Sequence, residues 1–184
     1  MAAEPAPPRA WTRAQRRLHW WTAILVATGF ALGWIMVAVP LRDLLTKFLL
    51  FQLHKTIGLI VLGFALWRLA LRARRRRPKP DPALAPWERR AATTGHAALY
   101  TLLLVVPVLG YLAASTAPGG IPTLFLGVIP IPGIVAPNPA WYAVLRPVHR
   151  AAAIALVALA TGHALAALRH HRRGRSVLLR MWRG

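Results

Sequence analysis

The chain has 184 residues, 57% of them hydrophobic and only 15% charged, with a mean hydropathy of +0.46. Its 24 Lys and Arg against four Asp and Glu give a formal charge of +20. The basic residues lie between and beside apolar blocks, and no recognition motif accompanies them, so they read as membrane topology and not as a nucleic-acid surface. The absence of cysteine excludes disulfides, thiolate ligands, Cys-ligated iron–sulfur clusters and covalent haem attachment.

Residues 1–12 are rich in Pro and Ala and read as a disordered tail. Four apolar blocks follow: Trp20–Pro40, Phe48–Leu71, Ala91–Ser115 and Trp141–Leu168. Each reaches the roughly 20 residues that a helix needs to cross a hydrocarbon core of about 30 Å. The first is longer than a signal-peptide core and lacks a clear A-x-A site, so it reads as a retained span. Alternating apolar patterns are absent, which sets aside a β-barrel. The fold class is therefore all-α, an integral membrane four-helix bundle over residues 13–171 with a basic tail at 172–184.

Two connections stand out. Arg72–Arg90 is basic and Pro-rich. Residues 116–140 are apolar but studded with Pro and Gly, so they cannot form one continuous helix. Such a loop is expected on the membrane face or folded back over helix ends, where it could cover a cofactor. Nineteen Lys and Arg fall in the N-terminal segment, the second connection and the tail, against five (Arg42, Lys47, Lys55, Arg146, Arg150) on the other side. The positive-inside rule then puts both termini in the cytoplasm. Trp20, Trp21, Trp67 and Trp141 suit the interfacial belts.

Five of the seven histidines lie in or at the edges of spans, where an imidazole is costly unless bonded or ligated. His149 and His163 are fourteen residues apart, about 40° short of four turns and about 21 Å along one helix face. Matching depths along alternating spans pairs His54 with His149 on the outer side and His19 with His163 on the inner side. His96, near the inner end of the third span, competes with His19 or stands beside the ligands. His170 and His171 belong to a solvated or headgroup-facing segment. Zinc or copper would need three or four converging donors. Two imidazoles per level suffice where a porphyrin brings the other four nitrogens, which predicts two b-type haems. Gly29, Gly33, Gly58, Gly63, Gly110 and Gly162 either admit a flat macrocycle or pack helices closely. Arg16, Arg17 and Arg169 inside, and Lys55, Arg146 and Arg150 outside, are candidate propionate partners.

The motifs R-L-H-W at Arg17–Trp20, L-H-K-T-I-G at Leu53–Gly58, W-R-L at Trp67–Leu69 and P-W-E-R at Pro86–Arg89 recur in a known order. G-H-A-A-L-Y at Gly95–Tyr100, P-V-L-G-Y at Pro107–Tyr111, G-H-A-L-A-A-L-R-H-H at Gly162–His171 and V-L-L-R-M at Val177–Met181 complete the set. With them the chain resembles bacterial cytochrome b561, the dihaem quinone-linked membrane cytochromes that include superoxide oxidase. The resemblance covers the chain from about Arg13. It implies bis-histidine ligation in the same two pairs, an oxidoreductase working with ubiquinone or another quinone, and, for part of the family, superoxide as donor. It assigns no side chain a catalytic role. One departure is Arg150 after His149, where the family commonly has an acidic residue. Two further readings are a haem-bearing anchor subunit relaying electrons from a dehydrogenase, and a non-redox membrane transporter.

Overall fold

The computed structural model describes residues 11–74, 85–175 and 177–182. Most of the expected disordered tail, and the middle of the Arg72–Arg90 connection, lie outside the described residues. Four long helices carry the chain: α1 (Arg13–Ala38), α2 (Leu44–Arg74), α3 (Pro86–Thr116) and α4 (Pro139–Arg172). Each is long and apolar enough to cross a membrane. Between α3 and α4 lies a small antiparallel hairpin, β1 (Thr123–Phe125) and β2 (Ile129–Ile131), and a short α5 (Val177–Trp182) follows α4.

The helices run beyond the apolar blocks because their ends are set by caps as well as by hydropathy. The Thr12 hydroxyl accepts from the Gln15 N–H at 3.2 Å, and the Gln15 Oε1 accepts from the Thr12 N–H at 3.0 Å. That capping box starts α1 seven residues before the apolar run. Pro86 opens α3, where a missing N–H costs nothing, and Glu88 accepts from the Ala85 N–H at 2.9 Å. At the far end of α1 the Lys47 ammonium donates to the carbonyls of Val39 (2.6 Å) and Met36 (3.2 Å), which offsets the negative end of the helix.

Packing is strongest between α1 and α2, between α3 and α4, and between α2 and α3. Ile57, Val61 and Ala65 of α2 meet Leu103 of α3 and Leu156 of α4 in the buried core. Ala65, fully buried, brings the neighbouring helices close to the centre. Outward, large apolar side chains such as Ile24, Leu66, Val144 and Leu165 are exposed on the helices. Apolar residues on the outside as well as the inside make this a bundle solvated by lipid.

The apolar loop is not without structure. Its hairpin turns through Leu126 (φ 54°) and Gly127 (φ 77°), and the buried Gln52 of α2 reads its backbone. Gln52 donates to the Pro122 carbonyl at 3.0 Å and accepts from the Leu124 N–H at 2.9 Å. Thr56, one turn on, accepts from the Leu126 N–H at 3.1 Å. Tyr111 adds a hydrogen bond to the Pro132 carbonyl. The segment thus folds back over the N-terminal part of α2, around Gln52 and Thr56. At the opposite end, Arg175 forms an ion pair with Glu88 at 3.0 Å, and Trp20 donates from Nε1 to the Met181 carbonyl at 3.2 Å. These contacts gather the start of α1, the start of α3 and the residues after α4 at one end of the bundle. The residues expected as a basic tail carry α5, folded back against α1.

Candidate haem sites

Two pairs of imidazoles face each other across the interior. The rings of His54 on α2 and His149 on α4 stand with centroids 6.1 Å apart, and those of His19 on α1 and His163 on α4 stand 6.2 Å apart. An imidazole nitrogen sits about 2.0 Å from a metal it ligates, so two axial rings on one ion have centroids about 6.3 Å apart. Both pairs have that spacing. His96 on α3 approaches His163 to 5.2 Å, about an ångström too close to leave an ion between the rings.

The His54–His149 pair is held from behind. His54 Nδ1 lies 2.9 Å from the Gly29 carbonyl oxygen, and His149 Nδ1 lies 3.0 Å from that of Val106. A carbonyl can only accept, so each ring donates from Nδ1, which leaves Nε2 unprotonated and able to ligate. This is the usual orienting contact behind a metal-bound histidine. The two contacts are alike: α2 leans its histidine on α1, and α4 leans its histidine on α3. Each ring also lies on a glycine one turn beyond the carbonyl. A Cβ at Gly33 would meet His54 Cε1 at 3.4 Å, and one at Gly110 would meet His149 Cε1 at 2.8 Å. Of the other glycines singled out in the sequence, Gly29 packs on Ile57. Gly58, Gly63 and Gly162 have nothing within 4 Å of an added Cβ. Gly58 lies one turn from His54 on the same face of α2 and leaves open space there, whereas Gly63 lies about 180° round the helix from His54.

The level of His19 and His163 is built differently. Arg68 of α2 brings a guanidinium nitrogen to 3.3 Å from His19 Nδ1, and the same guanidinium stacks over Tyr100 at 5.3 Å, where Arg72 joins it at 5.0 Å. His19, Arg68, His96 and His163 form one cluster with one member from each long helix. Arg68 was not among the site residues expected from sequence. A signal was present: it lies fourteen residues after His54, the same interval that put His149 and His163 on one face.

The expected propionate partners divide. Lys55 reaches the Pro122 carbonyl at 3.5 Å, under the hairpin, and Arg150 stacks over Trp34 at 4.2 Å. Both lie at the His54–His149 end. Arg16 donates to the Trp182 carbonyl at 3.4 Å. Arg17 lies about 160° round α1 from His19 and faces outward with Trp21. His170 Nδ1 lies 3.2 Å from an Arg175 guanidinium nitrogen, at the basic end of the bundle.

Four membrane spans enclosing paired imidazoles make up a membrane-embedded b-type cytochrome. The chain belongs to the prokaryotic cytochrome b561 family, whose model matches residues 10–184. It is 35% identical over 153 residues to "Cytochrome b561 homolog 2" of Escherichia coli (strain K12), an alignment covering 83% of this chain and 80% of that protein. It is accordingly a multi-pass protein of the bacterial inner membrane that carries b-type haem and transfers electrons. The transporter alternative falls with that membership.

Proposed function

We propose that this cytochrome holds two b haems, one between His54 and His149 and one between His19 and His163, and passes electrons between an outer donor and quinone. The observation carrying this reading is the pair of facing imidazoles at each level, at 6.1 and 6.2 Å. The 5.2 Å approach of His96 to His163 favours His19 over His96 as the inner ligand. His96 then stands beside the inner haem. Haem supplies one-electron chemistry, and two axial nitrogens on each iron would leave no open coordination position. The chain's own work is to fix the imidazoles, exclude water with the apolar spans, and set the two levels about 21 Å apart along α4. Arg16, Lys55 and Arg150 are proposed to lie near the haem edges.

The termini are proposed to lie in the cytoplasm, on the strength of the nineteen-to-five distribution of Lys and Arg. The His54–His149 level then faces the periplasm beneath the hairpin. On that side stand Arg42, Lys55, Arg146 and Arg150, with Lys47 committed to the end of α1. A positive rim of this kind favours an anionic donor, and superoxide is the donor we propose, with ubiquinone as acceptor. The decisive experiment is a redox-difference spectrum with haem quantification on purified protein, followed by mixing with superoxide. Two haems per chain and rapid reduction are expected. A ratio near one overturns the paired-site reading. Intact dihaem protein that superoxide fails to reduce overturns the donor and leaves a relay subunit of a dehydrogenase as the function.

A further inference from the structure

On the outside of the bundle, at the His19 end, a cleft of about 340 Å³ opens between the first turns of α1 and the short α5. Arg13, Arg16 and Arg17 form its upper wall, Trp21 and Ile24 its lower wall, and Met181 and Trp182 its side. At 100° per residue, Arg13, Arg17, Trp21 and Ile24 fall within an arc of about 80°, centred about 160° from His19. The cleft therefore opens on the opposite face of α1 from the imidazole cluster, and Trp21 and Ile24 are each more than half exposed there.

The far wall is fixed in place. Trp20 donates to the Met181 carbonyl at 3.2 Å and meets the Trp182 ring edge-on at 5.2 Å, and Arg16 donates to the Trp182 carbonyl. Arg13 and Arg17 have no side-chain hydrogen bond or ion pair to any described residue. Two carboxylates occur among the described residues. Glu88 is taken by Arg175, and Asp43 follows the opposite end of α1. Among the described residues, then, no carboxylate stands beside Arg13 and Arg17, whose guanidinium charges lie directly above an apolar wall.

We propose that this cleft is a binding site for an anionic phospholipid. The phosphodiester accepts from Arg13 and Arg17, as guanidinium forks do from phosphate. Trp20 and Trp182 sit at the level of the glycerol backbone, where indoles are favoured. One acyl chain lies along Trp21 and Ile24, the latter about 10 Å deeper than Arg17. The vertical order of charge, indole and aliphatic surface matches the order of groups in a lipid. A free phosphate would use only the top of it.

The test uses delipidated, haem-loaded protein in mixed micelles of phosphatidylglycerol and phosphatidylcholine, with bound lipids counted by native mass spectrometry. Wild type is expected to retain phosphatidylglycerol preferentially. The double variant R13Q/R17Q is expected to lose about 30-fold of that preference, at about a five-fold contribution per basic residue near a charged headgroup. R13K/R17K should keep most of it, and haem content, checked in parallel, should match wild type in both. R172Q/R173Q, which removes two charges from the same end outside the cleft, should leave the preference unchanged. An equal loss in R172Q/R173Q means general surface attraction and overturns the site. Displacement of the lipid by millimolar inorganic phosphate means an oxyanion pocket and overturns the lipid.

Discussion

Replacing Gly110 by alanine is the sharpest available probe of the outer site. The new methyl carbon would stand 2.8 Å from His149 Cε1 and 3.1 Å from Nδ1, whereas ordinary contact begins near 3.4 Å. The α3 backbone cannot yield easily, so the imidazole must retreat by about 0.6 Å. That lengthens the 3.0 Å contact to the Val106 carbonyl beyond the range of a good hydrogen bond. Losing that bond costs about 1 kcal/mol, and the crowding adds about 1–3 kcal/mol. Alanine is the better helix former by about 1 kcal/mol, so the helix itself is not weakened. The net penalty of about 1–3 kcal/mol falls on the geometry of His149. It should lower affinity for the outer haem by about 5- to 150-fold. Gly33→Ala, where the Cβ meets His54 at 3.4 Å, should be nearly silent, and Gly63→Ala, with nothing within 4 Å, silent. The assay is haem titration of the apoprotein, followed by a redox titration that resolves the two centres. If all three alanine variants bind two haems with unchanged affinity and potentials, the close contact at Gly110 does not define the site.

Other expected outcomes are direct. Replacing His54 or His149 by alanine should remove one haem and replacing His19 or His163 the other, while His96→Ala keeps both. Haem counts and the surviving midpoint potentials check this, and loss of a haem in His96→Ala with none in His19→Ala reverses the inner pairing. Gln52→Leu should free the hairpin by removing two hydrogen bonds worth about 1 kcal/mol each. Proteolysis within residues 117–138 should accelerate with haem content unchanged. Superoxide-driven reduction should slow as ionic strength rises, and R150E, with haem content verified, should slow it further, as expected for a steered anion. Stopped-flow traces at two salt concentrations decide this.

The spans were legible in sequence because each apolar block exceeds the bilayer thickness. The pairing of the imidazoles was legible because helices of alternating direction convert residue number into relative depth. Helix ends were less so: Arg13–His19 and Pro86–Arg90 are polar, and their helicity comes from capping contacts at Thr12 and Glu88 that hydropathy does not register. The hairpin was hidden for a different reason. Its backbone is ordered by Gln52 and Thr56, about seventy residues away, and nothing local in a Pro- and Gly-rich apolar stretch announces that partnership. The expectation that the segment folds back over helix ends rested on its greasiness alone. α5 was masked by the arginines around it, since its docking depends on Trp20 and Trp182 meeting across the whole chain.

The fourteen-residue interval has a wider consequence. His19 and Gly33 on α1, His54 and Arg68 on α2, His96 and Gly110 on α3, and His149 and His163 on α4 are all separated by it. Each helix so contributes one residue to each level. Fourteen residues are two heptads, and a straight α-helix drifts by about 20° per heptad from that repeat. A gentle left-handed winding of the four helices about one another would remove the drift, so that both levels face the common axis. The two levels are in phase in the same way that the seam of a coiled coil is. Inserting one residue between them on any helix would turn one level by about 100° and take its side chain out of the interior. A seven-residue insertion would preserve the facing but lengthen that helix by about 10 Å and leave its partners behind, so the interval between the levels is locked in all four helices at once.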